Sequence, residues 1–145
     1  MIIKMSELAL MAEEILKIHV QCTPGLEVGK SRDGFLCVIP IAGGSFEGKI
    51  SGKVVSGGAD WNTRKDRGSH VFAKYLLQAE DGEYIAIENA GVILNDAENI
   101  KIKTMPSFTA REDGPYAWLN YGVYVGSLEG GKEEGTVEIT IYQMK

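Results

Sequence analysis

Cysteine and proline are scarce in this chain of 145 residues, which holds two cysteines and four prolines. Cys22 and Cys37 lie in apolar, strand-like segments, and they form neither a C-x-x-C redox motif nor the ligand spacing of a zinc site. We therefore expect two buried, reduced thiols and no metal site. The few prolines and the 18 glycines suit turns and close packing of β-strands.

Long hydrophobic runs and clusters of positive charge are missing as well. No stretch of about 18 apolar residues occurs, so the sequence predicts no membrane-spanning helix. Lys4, Glu7, Glu13 and Glu14 interrupt the N-terminal apolar run before a secretory signal can form. The net charge is −5 and the cations do not cluster beyond residues 64–67, which argues against nucleic acid as a partner. Together these absences predict a soluble cytoplasmic protein of bacterial type.

Alternation of apolar and polar residues fills most of the chain. In the last segment Val137, Ile139 and Ile141 face one way and the residues between them face the other, as in a half-buried strand. Seven similar runs precede it, at about residues 15–22, 35–41, 46–55, 71–79, 84–94, 100–108 and 116–128. The sequence thus predicts eight strands and an all-β fold.

Turn-forming residues separate these runs, and we expect each of them to reverse the chain. Asp81-Gly82 is the clearest, because alternating runs flank a two-residue type I′ signal. Eight consecutive strands leave unpaired edges unless the sheet closes, so we predict a closed, mostly antiparallel up-and-down β-barrel. The other expected reversals are Pro24-Gly25, Asp33-Gly34, Gly43-Gly44, Gly57-Gly58, Asn95-Asp96, Asp113-Gly114-Pro115 and Gly130-Gly131.

No change of composition, linker or internal repeat divides the chain, so we expect one domain over residues 1–145. Residues 6–14 are the one candidate helix, with Ser6 as its N-cap. Leu8, Leu10 and Met11 in this segment fit neither the helical nor the strand period. Residues 1–14 can therefore equally be an extended lead-in to the first strand.

The sequence contains no complete form of a standard catalytic motif. Residues 43–50 have the G-x-x-x-x-G-K spacing of a phosphate-binding loop, but Ile50 replaces the magnesium-binding Ser or Thr, and a strand is predicted where a helix must begin. His19 and His70 have no carboxylate or Cys at metal-ligand spacing. No Ser/His/Asp arrangement can be built from the sequence order. We therefore expect no metal, no cofactor and no acyl-transfer chemistry.

The segment Gly57-Gly58-Ala59-Asp60-Trp61 is the first candidate for function, because two glycines let the backbone turn sharply beside a carboxylate and an indole. An apolar wall such as Trp61 would exclude water and raise the pKa of Asp60 until the carboxyl group can act as an acid or base near neutral pH. Asp60 is thus the candidate catalytic residue and Trp61 a candidate ligand-binding residue. The alternative is that Asp60 forms an Asx turn and Trp61 fills the core.

The second candidate is the segment 116–120, where Tyr116, Trp118 and Asn120 share one face of a predicted strand. Aromatic rings with one amide group are typical of the lining of a small-molecule pocket, and Asn89, at the end of the face of Ile85 and Ile87, could join it. The alternative is an aromatic core face with Asn120 bonded to the backbone.

The same segments, Gly43-Gly44-Ser45-Phe46-Glu47-Gly48, Gly57-Gly58-Ala59-Asp60-Trp61 and Tyr116-Ala117-Trp118-Leu119-Asn120, resemble in this order the sequence of uncharacterised protein family 0311, also called domain of unknown function 3237. Tyr75-Leu76-Leu77, Asp81-Gly82, Asn89 with Gly91, Pro106 with Phe108, and Val125-Gly126 extend the resemblance over nearly the whole chain after about Glu14. The resemblance implies a barrel of the group that includes allene oxide cyclases and dirigent proteins, without a common activity. Thr109 and Tyr121 depart from the family pattern, which usually has Glu and Arg at these places. Chemistry that depends on those two charges is therefore in doubt for this chain.

Three hypotheses for the function follow. The first is a barrel that binds a small, largely apolar metabolite between Trp61, Tyr116 and Trp118, with Asp60, Asn89 and Asn120 as orienting polar groups. The second is an isomerase or cyclase in which Asp60 moves a proton and Asn89 or Asn120 stabilises negative charge. The third is a module that assembles into a homo-oligomer without a ligand.

Overall fold

A computed structural model of the protein describes residues 5–145, and these residues form ten strand segments and one 3₁₀ helix. The strands are β1 (Ala12–Cys22), β2 (Leu26–Ser31), β3 (Gly34–Gly48), β4 (Gly52–Val54), β5 (Ala59–Arg64), β6 (Gly68–Ala79), β7 (Tyr84–Leu94), β8 (Ile102–Thr109), β9 (Tyr124–Gly130) and β10 (Thr136–Met144), and the helix is Ala117–Tyr121. Among residues 5–145, no helix is long and apolar enough to cross a membrane.

The strands form a closed antiparallel barrel. From β6 to β10 each strand pairs with the next one in the sequence, and β1 closes the barrel by pairing with both β10 and β3. β1 and β2 follow one another along the same side of β3, while β4 and β5 follow one another between β3 and β6. The ten segments therefore make eight walls, which confirms the prediction of an eight-stranded up-and-down barrel.

Gly43-Gly44 does not reverse the chain, contrary to the prediction. Both glycines lie inside the long strand β3, where the pairing with β1 skips Ala42, since Gln21 lies opposite Gly43 and Cys22 opposite Ile41. A side chain on Gly44 would clash with the His19 carbonyl on β1, and its φ of +139° suits glycine. The two glycines thus belong to a bulge that bends β3 as the sheet closes.

Two short strands escaped prediction, and two predicted reversals only interrupt a wall. β2 and β5 are rich in polar or exposed residues, so their alternation is weak. Pro24-Gly25 separates β1 from β2 and Gly57-Gly58 separates β4 from β5, but the chain keeps its direction at both places. The chain turns instead between Gly48 and Gly52, inside the run that is predicted as one strand over 46–55, and between Arg64 and Gly68.

The hairpin at Asp81-Gly82 is confirmed and joins β6 to β7. A type I′ turn needs a positive φ at both central residues. Gly82 has a φ of +91°, but Asp81 does not have a positive φ, since only glycines in the described chain do. The turn is therefore not the predicted type I′. The Gly82 amide donates to the Ala79 carbonyl at 2.9 Å, and the Ala79 amide donates to the Glu83 carbonyl at 2.9 Å. This is a three-residue loop that ends on a left-handed glycine.

The candidate helix over residues 6–14 does not form, and the alternative of a non-helical lead-in to the first strand holds for residues 5–11. Residues 5–11 have no regular secondary structure, and β1 begins at Ala12. Leu8, Leu10 and Met11 are largely exposed, so no apolar face is buried that could stabilise a helix. The first four residues of the expected lead-in lie outside the described residues.

The strand predicted over residues 116–128 is wrong in its first half, which forms the 3₁₀ helix. Asn120 holds this turn in place, because its Oδ1 accepts from the Ala110 amide at 2.7 Å and its Nδ2 donates to the Ala110 carbonyl at 2.8 Å. Leu119 of the helix is buried and closes one end of the barrel. Tyr116, Trp118 and Asn120 therefore do not share a strand face.

Apolar side chains fill the half of the barrel next to this helix. Phe108 and Tyr124 meet there edge to face with ring centroids 5.0 Å apart. The opposite half, where the loops β5–β6, β7–β8 and β9–β10 lie, is not filled in the same way. The packed half contains Ile15, Leu16, Ile18, Phe46, Ile50, Val54, Leu77, Ile85, Ile87, Phe108, Leu119, Tyr124 and Ile141.

Candidate functional site

A cavity of about 210 Å³ occupies the unfilled half of the lumen, and all eight walls contribute to it. Most of its surface is apolar. The polar lining residues are Cys22, Asp60, Asn62, Tyr75, Asn89 and Thr104, and the apolar ones include Val20, Ile39, Ile41, Val71, Ala73, Ile93, Leu128, Val137 and Ile139.

Asp60 brings a carboxylate into the cavity because side chains alternate along β5. Asp60 and Asn62 face the lumen, while Trp61 between them faces outward and is 52% exposed. The Phe72 amide donates a hydrogen bond of 3.0 Å to Asp60 Oδ1. Burial raises the pKa of Asp60 above its ordinary value, and the hydrogen bond from Phe72 partly opposes this effect.

Three buried polar side chains in the cavity have no hydrogen-bond partner among residues 5–145. They are the hydroxyl groups of Tyr75 and Thr104 and the carboxamide oxygen of Asn89. The three residues are only 4%, 2% and 3% exposed, respectively. A buried polar group without a partner costs about 1–3 kcal/mol, so these atoms call for a partner inside the lumen.

Burial also keeps the Tyr75 hydroxyl and the Cys22 thiol protonated. It raises the pKa of both groups, and the negative charge of Asp60 adds to the effect on each. The lining contains no Lys, Arg or His. Asp60 is thus the only source of charge among the residues that line the cavity.

The pairing of the strands sets the polar groups against small neighbours. Ala73 on β6 lies opposite Asp60 on one side and opposite Asn89 on the other, so its methyl group separates the carboxylate from the amide. Thr104 on β8 lies opposite Gly91 and Gly126. These small residues leave open the space into which the polar side chains point.

The structure brings Asp60 and Asn89 together and sets Trp61 and Tyr116 elsewhere. Trp61 lies on the outer wall. Tyr116 packs against the filled half of the core, and its hydroxyl donates to Asp81 Oδ2 at 2.9 Å. Neither aromatic ring lines the cavity.

Trp118 and Asn120 also lie away from the cavity, on the helix that closes the opposite end. Trp118 is 37% exposed, and the Lys49 ammonium lies 6.0 Å from its ring centroid. Asn120 is bonded to the backbone of Ala110, as the alternative interpretation of this segment expected.

The two positions that depart from the family pattern lie outside the lumen as well. Thr109 ends β8 and is exposed. Tyr121 is 75% exposed, and its hydroxyl donates to Glu112 Oε2 at 2.6 Å. A charged side chain at either position would therefore not line the cavity.

The sequence analysis does not identify Tyr75, Thr104 and Asn62 as site residues. Tyr75 could have been found by the same signal as Asn89, a polar group on an otherwise apolar strand face. Tyr75 stands on the face of Val71, Ala73 and Leu77, so a polar group interrupts an otherwise apolar face. Thr104 was harder to find, since β8 offers only Phe108 as a clear inward apolar residue of its period.

The histidines take no part in the site. His19 faces outward on β1 and pairs with Glu138 of β10, and His70 does not line the cavity. In the part of the chain that the structure describes, no three His, Cys, Asp or Glu residues come together in a way that could hold a metal ion.

Comparison with known proteins gives a family but no activity. The family described as protein of unknown function (DUF3237) matches residues 11–144. A UPF0311 protein from Rhodopseudomonas palustris is 30% identical over 80% of this chain and 84% of its own length, and one from Bradyrhizobium diazoefficiens is 28% identical over the same shares. The crystal structure of a β-barrel-like protein from Acinetobacter baumannii is similar with a TM-score of 0.84 and 28% identity, covering 98% of this chain and all of the other.

Proposed function

Since the chain belongs to this DUF3237 family of proteins of unknown function, its role has to be argued from its own lumen, and we propose that it binds one small, largely apolar molecule there. The observation that carries the proposal is the set of three buried, unpartnered polar groups aimed into a mostly apolar cavity. An apolar box with a few placed polar groups is the usual form of a small-molecule site. A structural core would gain stability by replacing the same groups with apolar ones.

The size of the cavity limits the ligand. An engineered cavity of about 150 Å³ accommodates benzene, and pockets for drug-sized molecules begin at about 300 Å³. At about 210 Å³ the lumen suits a molecule with a single ring or a short branched chain. Asp60 and Asn89 would orient it, together with Tyr75 and Thr104.

A titration with cyclohexanol tests the proposal, and the NMR chemical shifts of methyl groups that line the cavity report on binding. We expect shifts at Ile39, Ile139 and Leu128 and none at Ile85 or Leu119 in the filled half. The matched control is Ala73→Leu, which adds three carbons to the cavity wall and should abolish the shifts. Shifts confined to surface methyl groups would refute binding in the lumen.

Acid–base catalysis by Asp60 is the second function that a specific observation favours. The carboxyl group has a raised pKa and lies in the same cavity as two hydroxyl groups that can donate to a developing oxyanion. This arrangement suits an isomerase or a cyclase that moves a proton of the bound molecule. Asp60→Asn would keep the shape of the site and the acceptor for the Phe72 amide, so turnover should be lost while binding of cyclohexanol remains. Loss of binding together with turnover would instead make Asp60 a binding group.

Assembly of two copies has its own support on the outside of the barrel. Six apolar residues, one on each of six neighbouring strands, form an outer row; they are Leu26, Val38, Trp61, Phe72, Ala90 and Met105. At about 4.8 Å per strand the row runs about 24 Å around the closed wall. Its middle members Trp61 and Phe72, which are 52% and 40% exposed, are the ones that face a single partner across a standard interface of about 800 Å² per side.

The charges beside the outer row suit a symmetric pair. Lys74 and Glu88 border it as neighbours on β6 and β7, with Nζ and Oε1 3.3 Å apart. Under a twofold rotation each charge can meet its opposite on the second copy. Sedimentation should therefore show a dimer that Trp61→Ser dissociates. Tyr84→Ser is the control, because Tyr84 is similarly exposed (55%) but lies off the row, and equal behaviour of the two variants would argue against this interface.

A further inference from the structure

The polar groups of the cavity are not scattered over its surface but lie together on one side. Four consecutive strands, β5 to β8, carry them: β5 contributes Asn62 as well as Asp60, and four residues on four different strands are Asp60, Tyr75, Asn89 and Thr104. We call these four residues the polar arc. The remaining strands β9, β10, β1 and β3 form the apolar wall, which consists of Leu128, Val137, Ile139, Val20, Ile39 and Ile41, with only the Cys22 thiol at its margin.

The polar arc is wider than a single ligand atom. Neighbouring strands lie about 4.8 Å apart, so four strands span about 14 Å of the barrel circumference at the backbone. The side chains converge toward the axis of the barrel, but Asp60 and Asn89 stay separated by the methyl group of Ala73. One oxygen atom of a ligand therefore cannot serve both ends of the arc.

The far end of the arc is a niche over the Thr104 hydroxyl group. A side chain on Gly126 of β9 would clash with Thr104 Oγ1, and one on Gly91 of β7 would crowd its methyl group. Both neighbours of Thr104 are thus glycines, and Oγ1 has no partner among the described residues while Thr104 is only 2% exposed. The Thr104 hydroxyl group thus lies over Gly126, in the space that a side chain there would fill, and its remaining hydrogen-bonding capacity is left for a group in the lumen.

We propose that the lumen selects a ring-sized molecule without negative charge that carries two oxygen functions on one edge and hydrocarbon on the opposite edge. The inference rests on the proposed binding function and adds the class of ligand to it. Two oxygens on one edge satisfy separate members of the polar arc, while the hydrocarbon edge lies against the apolar wall. Oxygens on opposite edges would leave one of them buried against carbon, which is costly. The carboxylate of Asp60, with no cation in the lining, disfavours an anion.

Isomeric cyclohexanediols test the inference, because they have the same atoms and nearly the same volume. We would compare cis-1,2-cyclohexanediol with trans-1,4-cyclohexanediol by NMR titration of the lumen methyl groups, with cyclohexanol as a reference and cyclohexanecarboxylate as the anion. The 1,2-isomer should bind about tenfold more tightly than the 1,4-isomer, which corresponds to about 1.4 kcal/mol, one buried polar group left unpaired. The carboxylate should bind more weakly than cyclohexanol.

Variants assign the preference to the polar arc. Thr104→Val keeps the shape of the niche and removes its hydroxyl group, so the preference for the 1,2-isomer should fall to less than about threefold. Thr140→Val on the outside of β10 is the matched control and should keep the full preference.

The outcomes separate this inference from the proposed function. A preference for the 1,2-isomer that Thr104→Val removes supports the inference. Equal affinity for the two diols in the wild-type protein overturns it but leaves binding in the lumen intact. Failure of all four compounds to shift the lumen methyl groups overturns the proposed function and the inference with it.

Discussion

Replacing Thr104 by Val should make the protein without ligand more stable, which is the reverse of the usual effect of a change in a buried side chain. The two side chains have nearly the same shape, so the packing against Gly91 and Gly126 is kept. The change removes a hydroxyl group that is buried and unpartnered among the described residues. Removing the cost of such a group is worth about 1–3 kcal/mol.

This gain can be measured as a melting temperature. For a domain of about 150 residues, 1 kcal/mol shifts the melting temperature by about 2–4 °C, so Thr104→Val should raise it by about 2–12 °C. Scanning calorimetry of the protein without added ligand provides the value, and urea unfolding provides the free energy. The same variant should bind ring-sized alcohols less tightly, because it lacks the hydroxyl group that would pair with the ligand. A gain in stability with a loss of binding is the usual trade-off at a functional site.

Thr136→Val is the control for this experiment. The Thr136 hydroxyl group donates to the Glu133 carbonyl at 2.6 Å, so its loss should lower stability by about 0.5–1.5 kcal/mol. Opposite signs for the two substitutions are expected. If Thr104→Val destabilises the protein as Thr136→Val does, the Thr104 hydroxyl group has a partner within the fold and the reasoning about the cavity fails.

Three further substitutions make separate predictions. Asp60→Asn should raise the melting temperature at neutral pH. Because the pKa of Asp60 is raised in the folded state, its contribution to stability is present below its ordinary pKa of 3.8 and is lost as the pH rises through the folded value. The advantage of the variant should therefore shrink on acidification. Gly126→Ala should abolish binding of ring alcohols and lower stability by about 1–3 kcal/mol through overpacking against Thr104, as calorimetry and titration would reveal; an unchanged affinity would remove the niche from the site. Asn120→Ala should cost about 1–3 kcal/mol in urea unfolding by removing both bonds to Ala110, without changing ligand affinity; a selective loss of binding would contradict its structural role.

The barrel could be predicted from the sequence because its strongest signals are local. Val137, Ile139 and Ile141 alternate without interruption, and Asp81-Gly82 stands between two alternating runs, so strands and hairpin follow from side-chain period and turn chemistry. The bulge at Gly43-Gly44 could not be predicted in this way. A glycine pair has the same local preference in a turn and in a bent strand, and the close approach of β1 decides between them.

The site was less accessible from the sequence, because it depends on which face of each strand turns inward. The sequence predicts that Trp61 shields Asp60 from water, yet the alternation of β5 sends the two side chains to opposite sides of the wall. The sequence predicts that Trp118 and Asn120 share a strand face, whereas the bonds of Asn120 to Ala110 hold this segment in a helix. Thr104 becomes conspicuous only when the pairing puts it between two glycines.

Native mass spectrometry of the freshly purified protein, with Ala73→Leu purified in parallel, tests the central claim most directly. If the lumen is a binding site for a small molecule, the wild-type chain should carry a noncovalent adduct of one small neutral molecule per chain. The variant with the filled cavity should show only the mass of the chain without ligand. Adducts of equal mass and occupancy on both proteins, or bare chains for both even after incubation with excess cyclohexanol, would contradict a binding site in the lumen.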